Sequence, residues 1–279
     1  MGRVELMTAQ AQRARHFLEL HAGDRPLLAP NPWDAGSAKL LAALGFEALA
    51  TTSSGFAATL GRRDGAVTRE AALAHAAAIV EATPLPVSAD LENGFADDPA
   101  GVAQTVRDAI GAGLAGCSIE DFTGDAAGPI YAIEHATARV AAAARAAHEG
   151  SGRLVLTARA ENHIHGVDDL GDTIARLRAY GDAGADVLYA PGLTRSQDIR
   201  RVVEAVAPRP VNVLTYPGAP DVGQLAALGV KRISVGGAFA FAAIDALAEA
   251  ARELREDGTY GFLERARGGS ALARRVFDG

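Results

Sequence analysis

Short apolar runs bounded by turn residues recur along the chain. "RPLLAPN", "EALATTSS", "LPVSADLE", "AGCSIED", "RLVLTAR", "DVLYAP", "RPVNVLT" and "KRISVGG" each have the length and flanks of a buried strand. Between them lie longer Ala- and Leu-rich stretches with helical spacing, at 35–44, 69–82, 99–112, 135–148, 168–183, 195–206 and 221–228. A further helix is predicted over 238–255, and the tail to Gly279 is expected to add one or two short ones. In "LAALGFEALA", "GAGLAGCSI", "YGDAGADVLY" and "LAALGVKRIS" a Gly stands just past a helix, with a strand soon after, as a helix C-cap requires.

Strict alternation of strand and helix implies parallel strands joined by crossover helices. Eight such units over 279 residues favour an α/β fold of the closed kind, a (β/α)8 TIM barrel, over an open sheet. No low-complexity linker interrupts the pattern, so residues 1–279 read as a single (β/α)8 barrel domain. The first 22 residues are predicted to form an extra helix outside the barrel.

In such barrels the chemistry sits at the C-terminal ends of the strands. Strands 2 to 5 end in Thr51-Thr52-Ser53-Ser54-Gly55, Asp90-Leu91-Glu92, Glu120-Asp121 and Arg159-Ala160-Glu161. Strands 6 to 8 end in Tyr189-Ala190-Pro191, Thr215-Tyr216 and Gly236-Gly237. Period-two alternation puts Asp90 and Glu92 on the face of Ser88, with Leu91 toward the helices. By the same rule Glu120 shares a face with Ser118, and Arg159 with Thr157. Three carboxylates converging on one mouth repel one another unless a cation compensates. Oxygen-only ligands suit Mg2+, or Mn2+ in its place, better than zinc. Asp90, Glu92 and Glu120 are therefore the candidate metal ligands, and Arg159 offers a planar fork for a substrate carboxylate or phosphonate. A competing reading makes Asp90 and Glu92 helix caps or turn residues. Asp98, directly before Pro99, is the better N-cap, so Asp97 and Asp98 are read as structural.

Composition narrows the choice. The net charge is −7 and no basic face is expected, which excludes nucleic acid as a partner class. The one cysteine, Cys117, supports neither a disulfide framework nor a Cys-based zinc site. The N-terminus is charged throughout and lacks the apolar core of a secretory signal. No run approaches the roughly 18 apolar residues of a membrane span. A cytoplasmic protein with no membrane partner is the expectation. Lys39 and Lys231 are the only lysines. Lys39 falls in the first barrel helix and Lys231 at the N-terminal end of strand 8, which argues against a Schiff-base aldolase.

Other groups have two readings. His163 and His165, after strand 5, could serve as acid–base groups near neutral pH, though loop histidines are more often solvated. Gly236-Gly237 in "SVGGAFA" has the look of a phosphate-binding turn, or simply permits close helix packing. Asn212 and Tyr216 are further candidate substrate contacts, and Asp121 and Glu161 are read as orienting their neighbours.

With these residues in view, the chain resembles the isocitrate lyase/phosphoenolpyruvate mutase superfamily. The resemblance runs from "NPWDAGSAKLLAALGFEALATTSSG" through "SADLENGF", "GCSIED" and "LTARAE" to the last strand. It implies a (β/α)8 barrel with Mg2+ at its mouth, in a homo-oligomer (dimer or tetramer) whose C-terminal helices exchange between subunits. It implies that Asp90 contacts the metal directly and that Glu120 does so through water. Glu92 stands where the family has Asp. Arg159 would hold the substrate, Ser54 and Gly55 would bind its carboxylate, and Asp64 in "GRRDG" would shape the site. Arg159, Asp64 and Glu120 are the implied catalytic set.

The chain also departs from the family. The lyases carry a cysteine in a Lys-Cys-Gly-His-type loop after strand 4, and here that loop reads "DFTGDAAGPIYAIEHA". Cys117 lies upstream, within the strand and facing the helices, and reads as a small buried residue. Thr52 replaces the mutase-type Trp, and Ala190-Pro191-Gly192 stands where relatives place a polar side chain. These departures disfavour isocitrate and methylisocitrate lyase activity and a standard mutase. The resemblance implies a Mg2+-dependent enzyme acting on a small 2-oxo acid or enolpyruvate-like substrate. It would cleave a C–C or P–C bond through a metal-stabilised pyruvate enolate, as a lyase, decarboxylase or hydrolase, with loop 121–134 as a lid. The alternatives are a phosphoenolpyruvate mutase-like phosphonomutase and a non-catalytic 2-oxo acid binding protein.

Overall fold

The computed structural model describes residues 3–150 and 153–277, so the first two and last two positions of the predicted terminal helices lie outside it. The chain opens with α1 (Arg3–Leu20). Then follow β1 (Leu27–Ala29), α2 (Ala35–Ala43), β2 (Leu49–Ala50), α3 (Ser53–Thr59), α4 (Arg69–Ala82) and β3 (Val87–Asp90). Next come α5 (Pro99–Gly111), β4 (Gly116–Glu120), α6 (Ile133–His148), β5 (Val155–Arg159), α7 (Leu170–Asp182) and β6 (Val187–Tyr189). The chain ends with α8 (Ser196–Val206), β7 (Val211–Leu214), α9 (Val222–Ala227), β8 (Arg232–Ser234), α10 (Ala238–Arg252) and α11 (Phe262–Phe277).

All eight strands pair in parallel, in the order β1-β8-β7-β6-β5-β4-β3-β2, giving the (β/α)8 barrel that the alternation predicts. The β1–β2 seam carries no regular ladder. Pro30 and Pro32 have no N–H to offer there. The seam is instead held by Ala50 N–H to the Pro30 carbonyl (3.0 Å) and Asn31 Nδ2 to the Thr51 carbonyl (2.9 Å).

The main core lies between strands and helices and includes Leu91, Cys117, Ile119, Leu156 and Leu188, all fully or nearly fully buried. Each fully buried Leu or Ile contributes about 1.5–3 kcal/mol by leaving water. A second cluster plugs the N-terminal end of the barrel. There Phe17 of α1 packs with Leu27, Ala115, Val155 and Val187. A Cβ on Gly116 would come within 2.7 Å of the Phe17 ring, so the plug needs a glycine at that position.

Three sequence expectations change. Residues 53–55, read as part of the end of strand 2, instead open α3, capped by Thr52 Oγ1 accepting the Gly55 N–H (3.2 Å). β3 stops at Asp90, and Glu92 has φ +49, so period-two alternation does not extend to Glu92. The tail forms a single 16-residue helix, α11, in place of one or two short ones. It returns to place Phe277 beside Gly36 at the start of α2.

Candidate active site

Asp90 is the last residue of β3, and its side chain turns into the barrel mouth. Oδ2 accepts both the backbone N–H (3.1 Å) and the hydroxyl (2.9 Å) of Ser53, the first residue of α3. Oδ1 faces Arg159 Nη1 at 3.0 Å. Arg159, at the end of β5, spends its guanidinium on three acids. Nη1 takes Asp90, Nη2 lies 3.2 Å from Glu120 Oε2, and Nε donates to Glu161 Oε1 at 2.8 Å.

The balance of charge at this mouth is strongly acidic. Asp90, Glu120 and Glu161 share one guanidinium, and Glu92 lies close enough to feel Asp90. Burial, reinforced by Asp90, pushes the Glu92 carboxyl up to about 7. Glu120 is also raised, chiefly by burial, with Arg159 opposing. Such crowding is what a site built around a divalent cation shows when only protein charges are counted. The donors are all carboxylate oxygens, which suits Mg2+ or Mn2+. Among the described residues, no three His, Cys, Asp or Glu side chains are gathered into a direct cage, so Asp90, Glu92 and Glu120 do not all meet at one point. Glu92 sits in a small crevice behind Asp90, beside Phe56 and His75. This spread suits a cation held directly by one carboxylate and by the others through water, as Mg2+ commonly is.

The mouth opens into a cavity of about 380 Å3 lined by Ser54, Asp64, Asp90, Arg159, Tyr189 and Tyr216, among others. Ser54 reaches it with its hydroxyl, 3.1 Å from Thr52 Oγ1. Gly55 does not line the cavity. Its N–H is taken by the Thr52 cap, and a Cβ there would lie 2.5 Å from Thr52 Cγ2. Asp64 stands at the exposed rim. The glycine turn after β8 also borders the cavity, but the Val235 and Gly236 N–H groups both donate to Asn31 Oδ1 at 2.9 Å. Gly237 allows a close approach, because a Cβ there would lie 2.7 Å from Ser54 Oγ. These two observations favour the packing reading of that turn over a phosphate cradle. A larger hollow, about 930 Å3, lies at the N-terminal end of the barrel between α1, α7 and α8, away from every strand C-terminus.

The remaining candidates separate cleanly. His163 is tied to Asp168 (3.0 Å) and Thr173 (3.1 Å), and His165 stacks on Phe122 at 3.8 Å. Between them, Ile164 is the residue that faces the cavity. Asn212 is buried and bonded to Ser234 and Arg232. Asp121 accepts from Glu161 N–H, Tyr180 Oη and Arg176 Nη1, which bolts the base of the loop after β4 to β5 and α7. Cys117 is fully buried among core residues, and burial pushes its thiol pKa up, away from catalytic use. Sequence reasoning missed Ser53 as the partner of Asp90, and Tyr189 and Arg232 as cavity residues.

A parallel barrel with an acid-rich, arginine-pinned mouth at its strand C-termini has the layout of a barrel enzyme's active site. The phosphoenolpyruvate phosphomutase family model matches residues 17–255. The chain belongs to that family, within the isocitrate lyase/phosphoenolpyruvate mutase superfamily. A solved chain from Burkholderia cenocepacia J2315, its class given only as lyase/mutase, is 53% identical, with a TM-score of 0.92, over 95% of this chain and 96% of that one. An oxaloacetate decarboxylase from Bradyrhizobium sp. strain BTAi1 is 31% identical over 89% of this chain and 87% of its own length. Oxaloacetate acetylhydrolase, solved with its product oxalate, is 28% identical with a TM-score of 0.82, over 91% of this chain and 89% of that one. These relatives are enzymes, and the protein is an enzyme of that superfamily. No described helix is long and apolar enough to cross a membrane.

Proposed function

We propose that the protein is a Mg2+- or Mn2+-dependent enzyme that cleaves a C–C or P–C bond of a small 2-oxo acid or enolpyruvate-like substrate, with negative charge gathering as a pyruvate enolate. The observation that carries this reading is Arg159, one guanidinium shared by Asp90, Glu120 and Glu161 at the cavity mouth. Asp90 would hold the cation directly, with Glu92 and Glu120 reaching it through water. When bound, the cation supplies Lewis-acid stabilisation for negative charge gathering on the oxo oxygen.

The chain's own groups do the rest. Glu161 fixes Arg159 through Nε, and Nη1 and Nη2 face the mouth beside Asp90 and Glu120, where a substrate's acid group would share them. The Ser54 hydroxyl adds a neutral donor on the opposite wall, and Asp64 closes the rim. The buried base of the β4–α6 loop keeps the wall rigid while its tip limits access of water. The likeness to an oxaloacetate decarboxylase and an oxaloacetate acetylhydrolase, and a loop without the lyase cysteine, support a decarboxylase or hydrolase over a methylisocitrate-type lyase. A mutase is the second reading, supported by the family match.

The test is product formation from oxaloacetate, phosphonopyruvate and 2-methylmalate, with Mg2+ and with EDTA. Metal-dependent pyruvate is the expected result for a decarboxylase, and oxalate with acetate from oxaloacetate for an acetylhydrolase. Phosphoenolpyruvate from phosphonopyruvate would favour the mutase. No turnover, with 2-oxo acids still raising Tm in Mg2+, would leave a binding protein.

A further inference from the structure

Arg232 opens β8 and is 3% exposed. Its long side chain rises inside the barrel to the level of Thr157, one inward-facing layer below Arg159 on β5. Nε donates to Asn212 Oδ1 (2.8 Å) and Nη1 to Thr157 Oγ1 (3.1 Å). Both acceptors are neutral. Among the described residues no carboxylate oxygen lies within 4.0 Å of this guanidinium. A guanidinium has five N–H donors, and a buried cation without an anion is costly unless something compensates.

Two other deeply buried arginines hold partners within the chain, although Arg139 Nε has none among the described residues. Arg139 donates to the carbonyls of Glu120, Asn93 and Ala96, and Arg176 to Asp121 and Asp172. Arg232 differs because it borders the active-site cavity. The surrounding layer is polar where barrel interiors are usually filled by branched apolar side chains. Ser88, Ser118 and Ser234 line the same floor. Asn212 is locked by its Nδ2 bond to Ser234 Oγ (3.0 Å), which keeps Oδ1 aimed at Arg232. Arg159 above is occupied with the mouth acids, and its positive charge adds to the burial that lowers the Arg232 pKa to about 10. Arg159 already has three carboxylates, so an anion reaching the floor would find its partner in Arg232.

We propose that Arg232 is a specificity-determining residue that receives a second anionic group of the substrate at the cavity floor, so that the pocket selects diacids over 2-oxo monoacids. This rests on the 2-oxo acid reading of the same site. The test is calorimetric titration of Mg2+-loaded protein with pyruvate and with 3,3-difluorooxaloacetate. Arg232→Gln is expected to weaken the diacid by about tenfold or more and to leave pyruvate within about twofold. Asn212→Asp, which hands Arg232 an internal carboxylate at nearly constant volume, is expected to give the same selective loss with the cation still present. Parallel loss of both ligands in both variants, or loss of neither, overturns the role of Arg232 while sparing the 2-oxo acid site. Failure of the wild-type protein to bind either acid overturns the site reading itself, and this inference with it.

Discussion

Ser53 grips one oxygen of Asp90 twice, through its backbone N–H at 3.1 Å and its hydroxyl at 2.9 Å. The grip comes from the start of α3, so the helix fixes the rotation of the carboxylate and leaves Oδ1 toward the mouth. If Asp90 is the direct ligand, Asp90→Ala removes divalent-metal binding outright. Ser53→Ala loosens only the ligand's support and is expected to cost about 10–100-fold in metal affinity, the usual range for a residue that orients a ligand. Calorimetry with Mn2+ measures both. Unchanged affinity in Asp90→Ala would remove Asp90 from the metal site.

Asp121 joins three elements through one carboxylate. It accepts Glu161 N–H at 2.8 Å, Tyr180 Oη at 2.5 Å and Arg176 Nη1 at 3.2 Å, and it is 2% exposed. Asp121→Ala leaves the Arg176 charge and the Tyr180 hydroxyl short of a buried partner. The expected loss is about 3–5 kcal/mol in urea unfolding, as for breaking a buried ion pair. A loss below about 1 kcal/mol would mean that water or Asp172 takes over the role, as in a solvent-exposed pair.

Much of this architecture is legible in the sequence because a buried parallel strand is a short apolar run bounded by turn residues, while the apolar runs of the helices lie inside longer stretches of helical spacing. Asp98 before Pro99 likewise announces its cap, and accepts Ala100 and Gly101 N–H at 3.0 Å. Where alternation fails, it fails for a physical reason. Glu92 is beyond the last paired residue of β3, in a left-handed conformation, and strand periodicity has no hold on it. α3 escapes notice because seven residues are too few to establish a helical period, although Thr52 at the cap and Gly55 three residues on are its signal. Arg232 is hidden by reach. Its Cα belongs to the start of β8, remote from the strand ends, while its guanidinium acts a layer higher. The partners of Asp121 stand 40 to 59 residues away, and periodicity assigns a face without assigning a partner.

The C-terminal helices show solvent a row of large apolar side chains. Leu247 is 70% exposed, Leu263 55% and Leu254 50%. An apolar face of this kind on an otherwise ordinary surface marks an association site. We expect the protein to sediment as a homo-oligomer through α10 and α11, and Leu247→Glu with Leu263→Glu to release monomers. Analytical ultracentrifugation decides the matter. A monomeric wild-type protein would assign this face to something other than a second copy.

His21 sets a limit on acid stability. Its Nδ1 lies 2.7 Å from the Phe17 carbonyl, which can only accept, so Nδ1 carries the proton and Nε2 is left a buried acceptor with no partner among the described residues. Burial, then the nearby charge of Arg232, brings its pKa down to about 3. The unfolded chain takes up this proton near pH 6.5. Between those two values the unfolded state binds one proton more than the native state, so this contribution is complete above about pH 6.5 and is lost as pH falls. The slope approaches about 1.4 kcal/mol per pH unit. His21→Gln keeps a donor for Phe17 and removes the titration. Its urea stability is expected to fall less than that of the wild-type protein between pH 7 and pH 5, by about 2 kcal/mol. Carboxylates with raised pKa values act in the opposite sense, but they are common to both proteins and cancel in the comparison. Equal falls in the two proteins would show that His21 is already protonated at pH 7, or that α1 opens before the barrel does.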